Sequence, residues 1–413
     1  MADWGPWLGY ALDWANLLLR WAHVVVAIAW VGSSFYFVWL DNNLTPPQDA
    51  ALKDKGVGGE LWAVHGGGFY NPQKYLGAPK QLPDRLHWFY WESYSTWLTG
   101  FALFTVLYLF NAGTFLIDRQ VMAWSPGGAI GAALGFLAGF WLIYDLLCRT
   151  VGRMPGQERL LGGLVAAVVA LAAWLACQWF AGRAAFLLVG AMMATAMSAN
   201  VFFWIIPGQR KVVAAMRAGQ PVDPNHGLRG KQRSVHNTYF VMPVLFAMLS
   251  NHYPFLTGAT SNWLVLVALM LAGALIRHTF VARHKAKLAG QPTPWAWAAS
   301  GVALLLAVGV WQAPPVRQLP SGEADPVSDA QTLEPQVHAI VNARCVVCHS
   351  TAAPNKGVAL DKPELLAQHV QRIYQQAVVL KAMPMNNATR MTPAEREVIA
   401  RWAAPQLQGA ALP

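Results

Sequence analysis

Residues 160–181 read LLGGLVAAVVALAAWLACQWFA and contain no charged side chain. As a helix, 22 such residues are long enough to cross the ~30 Å hydrocarbon core of a bilayer. Comparable apolar segments recur and predict about eight spans, at 15–40, 90–112, 127–148, 160–181, 184–206, 235–256, 262–282 and 294–312. The predicted fold class is all-α, with a polytopic membrane helix bundle as its main part.

The composition also indicates a membrane protein. Of 413 residues, 55% are hydrophobic and 12% are charged, against about 25% charged in average soluble domains. Twenty Trp are typical of aromatic belts at membrane interfaces, and membrane lipid is an expected partner. A soluble enzyme, a disordered chain and a disulfide scaffold are excluded. The net charge is +10, and the basic residues lie mainly in the loops between the predicted spans. We therefore use them to predict which side of the membrane each loop occupies, and we expect no nucleic-acid partner.

Lys and Arg are distributed unevenly between the predicted loops. Seventeen lie in the first, third, fifth and seventh loops: Lys53, Lys55, Lys74, Lys80, Arg85, Arg149, Arg153, Arg159, Arg210, Lys211, Arg217, Arg229, Lys231, Arg233, Arg283, Lys285 and Lys287. The opposite loops hold two, Arg119 and Arg183. The positive-inside rule then predicts a bacterial inner membrane protein whose N-terminus and C-terminal region are both periplasmic.

The C-terminal region has a different composition. We divide the chain into a membrane domain (1–312), an exposed linker (313–332) rich in Pro, Ser, Asp and Gln, and a small domain (333–413). A helical pattern covers 333–344. Thr392-Pro393-Ala394-Glu395 predicts a capping box that begins a final helix running to about Trp402.

Cys345-Val346-Val347-Cys348-His349 is a C-x-x-C-H haem attachment motif. The two thiols can form thioether bonds to the haem vinyl groups, and His349 can bind the iron. A disulfide or redox pair is the alternative. The motif ends a predicted helix in a domain too small for an ample core of its own, so a covalent haem c in a class I cytochrome c-like domain is expected. Cys148 and Cys177 lie in apolar surroundings and predict inert packing.

A sixth iron ligand is expected downstream of the motif, because thioether ligation raises a haem potential. The segment Ala382-Met383-Pro384 is similar to the Met-Pro ligand loop of small class I cytochromes c, which favours Met383. Met385, Met391 and His369 remain alternatives.

Ionisable residues inside spans are functional candidates, because charge in a bilayer is costly. Arg20 and His23 share a face of the first helix, and His23 resembles the haem-ligating histidine in the first helix of some bacterial membrane haem proteins. A haem b bound by His23 and a second histidine is therefore a hypothesis. An interfacial hydrogen-bonding role is the alternative. The chain has no adjacent His-His pair, which argues against a haem–copper oxidase catalytic subunit.

Two strings precede the second predicted span, one in the loop before it and one at its start. Glu60–Tyr70 reads ELWAVHGGGFY, whose glycines allow backbone N–H groups close to an anion or serve as a flexible turn. Leu86–Glu92 reads LHWFYWE, which also suits an aromatic belt.

Together with His236–Tyr239 (HNTY), Pro243–Phe246 (PVLF) and Ser250–Pro254 (SNHYP), these strings resemble the membrane-bound bacterial urate oxidase family over 1–312 and 333–405. The resemblance implies eight spans joined to a cytochrome c domain. It also implies oxidation of urate to 5-hydroxyisourate, with electrons leaving through the c haem to an external cytochrome or terminal oxidase.

Urate oxidation needs a general base together with cationic or amide donors around the purine. Two sets of residues meet this need, one on each membrane face, and the sequence does not choose between them. The inner set is His65, His87 and Glu92, and the outer set is Arg20, Asn251 and His252. The rival function is a non-enzymatic subunit that relays electrons from quinol or a partner to the c haem.

Overall fold

The computed structural model describes residues 5–75, 77, 79, 82–313, 326–354 and 357–408. Helices account for 73% of the described residues and strands for 5%, so the predicted helical class is confirmed at this level. The first elements are α1 (Gly5–Asn43), α2 (Ala50–Asp54), β1 (Val57–Glu60), β2 (Ala63–His65), β3 (Gly68–Tyr70), β4 (Gln73–Tyr75), α3 (Trp91–Phe104) and α4 (Ala112–Phe115). The central helices are α5 (Pro126–Arg149), α6 (Glu158–Trp179), α7 (Gly182–Asn200), α8 (Ile206–Arg217), α9 (Pro224–Leu249), α10 (Pro254–Thr257), α11 (Asn262–Leu288) and α12 (Trp295–Trp311).

The remaining elements are α13 (Pro326–Arg344), β5 (His349–Ser350), β6 (Ala353–Pro354), α14 (Pro363–Gln368), α15 (Val370–Ile373) and α16 (Pro393–Gln408). Short π-helical segments, Thr105–Leu109, Val201–Ile205 and Tyr374–Val379, continue α3, α7 and α15.

Among the described residues, five helical segments are long and apolar enough to cross a membrane. They are Tyr10–Asn43, Pro126–Arg153, Glu158–Trp179, Gly182–Arg217 and Asn262–Leu288, and they coincide with the first, third, fourth, fifth and seventh predicted spans. The eighth falls on α12, an apolar helix of 17 residues. The second and sixth fall on α3 and α9, which are helical but outside this set. The count of eight therefore stays a prediction.

The chain divides into two compact units, described separately below. Unit 1 comprises residues 1–106, 192–245 and 269–305, and unit 2 comprises residues 107–191, 246–268 and 306–413. In unit 1, α1 packs along α3. Gly100 permits this packing, because a Cβ atom there would lie 2.8 Å from Cε1 of His23.

A long antiparallel hairpin follows α1 in unit 1. Strand β1 pairs with β4, and β2 pairs with β3. The two-residue turn between β2 and β3 is Gly66-Gly67, with φ of +57° and +78°. Both angles lie in the left-handed region that a tight hairpin turn requires and that glycine adopts readily. Two of the three glycines of the Glu60–Tyr70 string therefore serve the turn.

In unit 2, α5 packs against α6. Ser125 caps α5 by accepting a hydrogen bond from the Gly128 N–H at 3.1 Å. Cys148 on α5 and Cys177 on α6 are buried, as their apolar surroundings predict. The membrane part of this unit thus has a packed apolar interior.

The C-terminal part of unit 2 has a core between α13 and α16. Its buried side chains include Val337 and Val341 on α13 and Ile399 and Trp402 on α16. The predicted capping box is present: Thr392 N–H donates to Glu395 Oε2 at 2.6 Å, and Glu395 N–H donates to Thr392 Oγ1 at 3.2 Å. Helix α16 begins at Pro393 and extends past the predicted end at Trp402.

Helix α13 starts before the helical pattern that the sequence predicted at 333. Its range, Pro326–Arg344, includes residues that the sequence placed in the linker. Residues 314–325 of the predicted linker lie outside the described residues. The domain boundaries at 312 and 333 stay predictions.

Candidate functional site

The Cys345–His349 motif forms a compact helical turn at the end of α13. Cys345 N–H donates to Val341 O at 2.8 Å, and His349 N–H donates to Cys345 O at 3.0 Å. A helical turn brings residues three positions apart to the same side, so both thiols project from one face of the segment. This is the local arrangement that two thioether bonds to one planar group require.

The imidazole of His349 is oriented for metal ligation. Its Nδ1 lies 3.1 Å from the carbonyl oxygen of Val358. Since a carbonyl only accepts hydrogen bonds, Nδ1 carries the proton and Nε2 keeps its lone pair. A backbone carbonyl on the second ring nitrogen is the usual support of a metal-binding histidine. The residues present therefore fit a haem iron at Nε2.

The two motif cysteines differ in exposure. Burial raises the pKa of the Cys345 thiol to about 11, whereas Cys348 is exposed. A redox-active C-x-x-C pair relies on a thiol whose pKa is lowered. The environment of Cys345 thus favours haem attachment over the redox-pair alternative.

The four candidates for a sixth ligand have different surroundings. Met391 is 1% exposed and belongs to the core between α13 and α16. Met383 is 38% exposed, Met385 is half-buried at the start of a short 3-10 turn, and His369 is half-buried between α14 and α15. Since Met391 fills the core, Met383 and Met385 are the methionines that remain available.

The backbone at Met383 is held on both sides. Its N–H donates to Gln376 O at 3.0 Å, and its carbonyl oxygen accepts from Arg396 Nη1 at 2.8 Å. Arg396 Nη1 also donates to Ala377 O. These contacts fix the loop that carries the thioether, so Met383 remains the preferred ligand.

We expect Met383→Ala to abolish the weak near-infrared band that arises from sulfur-to-iron charge transfer. Met385→Ala and the core substitution Met391→Leu should keep it, because neither removes the ligating sulfur. The measurement is the near-infrared absorption of the oxidised protein. If the band were lost in Met385→Ala and kept in Met383→Ala, Met385 would be the sixth ligand in place of Met383.

The predicted catalytic residues of unit 1 do not come together. His65 is exposed at the tip of the hairpin, and His87 is exposed with its ring edge-on to Phe89 at 4.7 Å. Arg20 is exposed and donates to Asn16 Oδ1 at 3.2 Å. Glu92, in the first turn of α3, is half-buried, and its Oε2 is buried without a hydrogen-bond partner among the described residues. Of the inner set, Glu92 alone faces the interior.

The outer candidates in unit 2 follow α9. His252 is exposed in the short turn Ser250–His252. The side chain of Asn251 lies outside the described ones.

His23 makes a hydrogen bond between two helices. Its Nδ1 lies 3.1 Å from Thr99 Oγ1 on α3, next to Gly100. This contact accounts for a histidine on an apolar helix without a cofactor. A role for His23 as a haem b ligand stays a prediction.

A series of polar contacts instead links the helices of unit 1. We call it the polar belt and define it by Ser34, Ser93, Ser198, Asn200, Arg233, Asn237, Thr238, Tyr239, Arg277 and His278. Ser93 Oγ donates to Ser198 Oγ at 3.2 Å, which joins α3 to α7. Asn200 Nδ2 donates to Asn237 Oδ1 at 2.8 Å, which joins α7 to α9. These polar groups therefore satisfy one another inside the helix bundle.

The belt continues from α9 to α11 and α1. The Tyr239 hydroxyl lies 2.5 Å from His278 Nδ1, and the two rings stack. Arg277 Nε donates to Thr238 O at 3.4 Å, and its Nη2 donates to Ser34 Oγ at 3.3 Å. Five helices thus contribute to the belt, which consists of several separate hydrogen-bonded groups.

A π-helical segment helps to shape the belt at Asn200. Residues Val201–Ile205 follow Asn200 directly, and Pro207 comes next in α8. Proline lacks the N–H that would bond to the carbonyl of residue 203, and π-helical turns often mark functional sites. Trp204 in this segment lies under the guanidinium of Arg233, 5.0 Å from the ring centre.

A second polar space lies in unit 2. A cavity of about 730 Å³ is bordered by Asp118 and Arg183 and by Lys381, Arg396 and Glu397 near the Met383 loop. Burial raises the pKa of Asp118, while its bond from Gln120 N–H and the charge of Arg396 act in the opposite direction. The cavity carries both carboxylates and cations.

The comparisons identify the membrane part of the chain. The family described as "Urate oxidase N-terminal" matches residues 9–313, about three quarters of the chain. The chain belongs to this family. Comparison with curated proteins and with solved structures finds no match.

The urate oxidase N-terminal match contains every residue of the polar belt and ends before the Cys345–His349 motif. The HNTY string at His236–Tyr239 falls on α9 and supplies three belt residues. The relation to urate oxidase therefore concerns the helices that carry the belt. The haem motif lies outside the matched region.

The sequence did not predict the roles of two arginines of the polar belt. Arg233 was counted as a loop cation, but it lies on α9, is 2% exposed and donates to Asn200 Oδ1 at 3.2 Å. Arg277 was not singled out, and it is also 2% exposed. Its position inside the apolar segment 262–282 was the available signal, because an arginine inside a span is a functional candidate by default.

Proposed function

We propose that the protein oxidises urate to 5-hydroxyisourate within unit 1 and passes the electrons through a c-type haem to an external cytochrome or terminal oxidase. The observation that carries the proposal is the family match over residues 9–313. The C-x-x-C-H motif in the same chain supplies a place for a one-electron acceptor. Family membership supports a urate-related oxidoreductase, and the haem coupling is our addition.

The chemistry balances with water as the oxygen source. The urate monoanion and one water give 5-hydroxyisourate, one proton and two electrons. Cys345, Cys348 and His349 would hold a haem, which would supply a one-electron acceptor for each electron in turn. Hydrogen peroxide is then not a required product, because the electrons leave through the acceptor.

The residues of unit 1 suit the substrate better than those of the unit 2 cavity. Urate is a planar anion with amide-like edges at neutral pH. The belt holds two buried guanidinium groups, those of Arg233 and Arg277, and no carboxylate belongs to it. The cavity of unit 2 mixes the carboxylates of Asp118 and Glu397 with the cations Arg183, Lys381 and Arg396, and three of these five residues lie outside the family match over 9–313.

Glu92 is the preferred proton acceptor near the belt. Its Oε2 is buried without a partner among the described residues, and its neighbour Ser93 belongs to the belt. A buried carboxylate oxygen with no donor is free to accept a proton from a ligand. His65 and His87 are exposed and do not meet this condition.

The test is anaerobic addition of urate to the purified, haem-loaded protein. We expect urate to reduce the c haem, seen as the sharpened α absorption band, and an external oxidised cytochrome to reoxidise it. Xanthine, which lacks the oxygen at C8, is the matched purine control and should leave the haem oxidised. Reduction by quinol but not by urate would replace this proposal with the electron-relay subunit.

A further inference from the structure

Arg277 is a buried cation surrounded by neutral groups. It is 2% exposed on α11, and its Nη2 donates to Ser34 O and Ser34 Oγ, both at 3.3 Å. Its Nε donates to Thr238 O at 3.4 Å. The guanidinium carbon lies 4.0 Å from the centre of the Phe35 ring. Helix α1, helix α9 and an aromatic face therefore hold the side chain in one orientation.

No carboxylate among the described residues forms an ion pair with Arg277. Carbonyl and hydroxyl oxygens stabilise a guanidinium, but they do not neutralise its charge. An ion moved from water into a low-dielectric interior is costly unless an opposite charge accompanies it. The hydrogen bonds and the Phe35 ring offset part of this cost, and an anionic ligand would supply the missing opposite charge.

One edge of the guanidinium remains available. The hydrogen bonds of Arg277 within the described part of the chain use Nε and Nη2, which leaves the two N–H groups of Nη1 without a protein acceptor. The hydrogen-bonded pair of Tyr239 and His278 belongs to the same helix pair, α9 and α11.

We propose that Arg277 is the charge-bearing anchor for a planar, anionic oxopurine in the membrane part of unit 1, an inference that rests on the proposed function. The flat guanidinium matches an anion delocalised over neighbouring oxygen and nitrogen atoms, and it can donate two parallel hydrogen bonds to it. A lysine at this position would keep the positive charge but could not donate two parallel hydrogen bonds to one anion.

The experiment measures equilibrium binding of urate to the full-length, haem-loaded protein under anaerobic conditions. We expect Arg277→Gln to weaken urate binding about thirtyfold, as loss of charge-assisted hydrogen bonds implies, and Arg277→Lys to weaken it less. Arg217→Gln is the matched control, since Arg217 is an exposed arginine of the same unit that belongs to no candidate site, and it should bind urate like the unmodified protein.

A second ligand separates recognition of charge from structural damage. Tetramethylurate has the same ring system but no N–H group to ionise, so it stays neutral and should bind more weakly than urate. Its affinity should be the same for the unmodified protein and for Arg277→Gln. If Arg277→Gln weakened the binding of urate and of tetramethylurate by the same factor, Arg277 would be a structural residue and the inference would be overturned.

The remaining outcomes distinguish the two proposals. Unchanged urate binding in both Arg277 variants, with urate still reducing the haem of the unmodified protein, would reject the anchor and leave the proposed function intact. If the unmodified protein neither binds urate nor is reduced by it, the proposed function fails and the anchor falls with it.

Discussion

Replacing Cys345 and Cys348 together by alanine will remove all covalently bound haem from the protein. The turn that ends α13 projects both thiols from one side, and His349 has its Nδ1 hydrogen tied to Val358 O at 3.1 Å. With both sulfurs gone, no thioether can form, and any haem that His349 holds is lost on denaturation. The measurement is haem-dependent peroxidase staining of the denatured polypeptide on a gel, after expression in a host that attaches c-type haem.

The chain provides its own control for this experiment. Cys148 and Cys177 are buried in unit 2 and far in sequence from a histidine-containing motif. Cys148→Ala with Cys177→Ala removes the same number of thiols and should keep full staining. Haem that stays on the denatured Cys345→Ala/Cys348→Ala protein would contradict the assignment of the motif.

The elements that could be predicted from sequence are those with a local physical cause. The capping box at Thr392–Glu395 depends on four consecutive residues, and it is present. The long apolar segments also form helices, because a bilayer-length run of Leu, Ala and Val has few other ways to satisfy its backbone. The start of α13 was missed, because residues 326–332 are polar and carry no apolar periodicity before the core position Leu333.

The polar belt could not be predicted in the same way. Its contacts join residues far apart in the chain, such as Ser34 to Arg277 and Asn200 to Asn237. A single sequence shows which residues are polar within a span, but it does not show which helices are neighbours. His65 and His87 were favoured because they stand in unusual strings, yet both are exposed. The structure distinguishes Glu92 from these two histidines, because its Oε2 is buried.

Protease added to intact spheroplasts will remove the haem-bearing segment after about residue 313 and leave the loop containing Arg217 uncut. The distribution of basic residues, sixteen to two once the buried Arg233 is left out, predicts that loop in the cytoplasm and the C-terminal region in the periplasm. A covalent haem would predict the same side independently, because c-type haem is attached outside the cytoplasm in bacteria. The measurement is the size of the haem-stained fragment and of a fragment detected through a tag near the start of α1.

The same experiment decides whether the number of spans is even or odd. An even number, such as eight, returns the chain to the side on which α1 begins, so a tag there and the haem segment are both accessible from outside. The five helices that are clearly long and apolar enough would, alone, put them on opposite sides. Lysed spheroplasts, in which the Arg217 loop should also be cut, provide the control for protease access. If the haem segment were protected in intact spheroplasts while the loop containing Arg217 was cleaved, the orientation would be opposite to the predicted one.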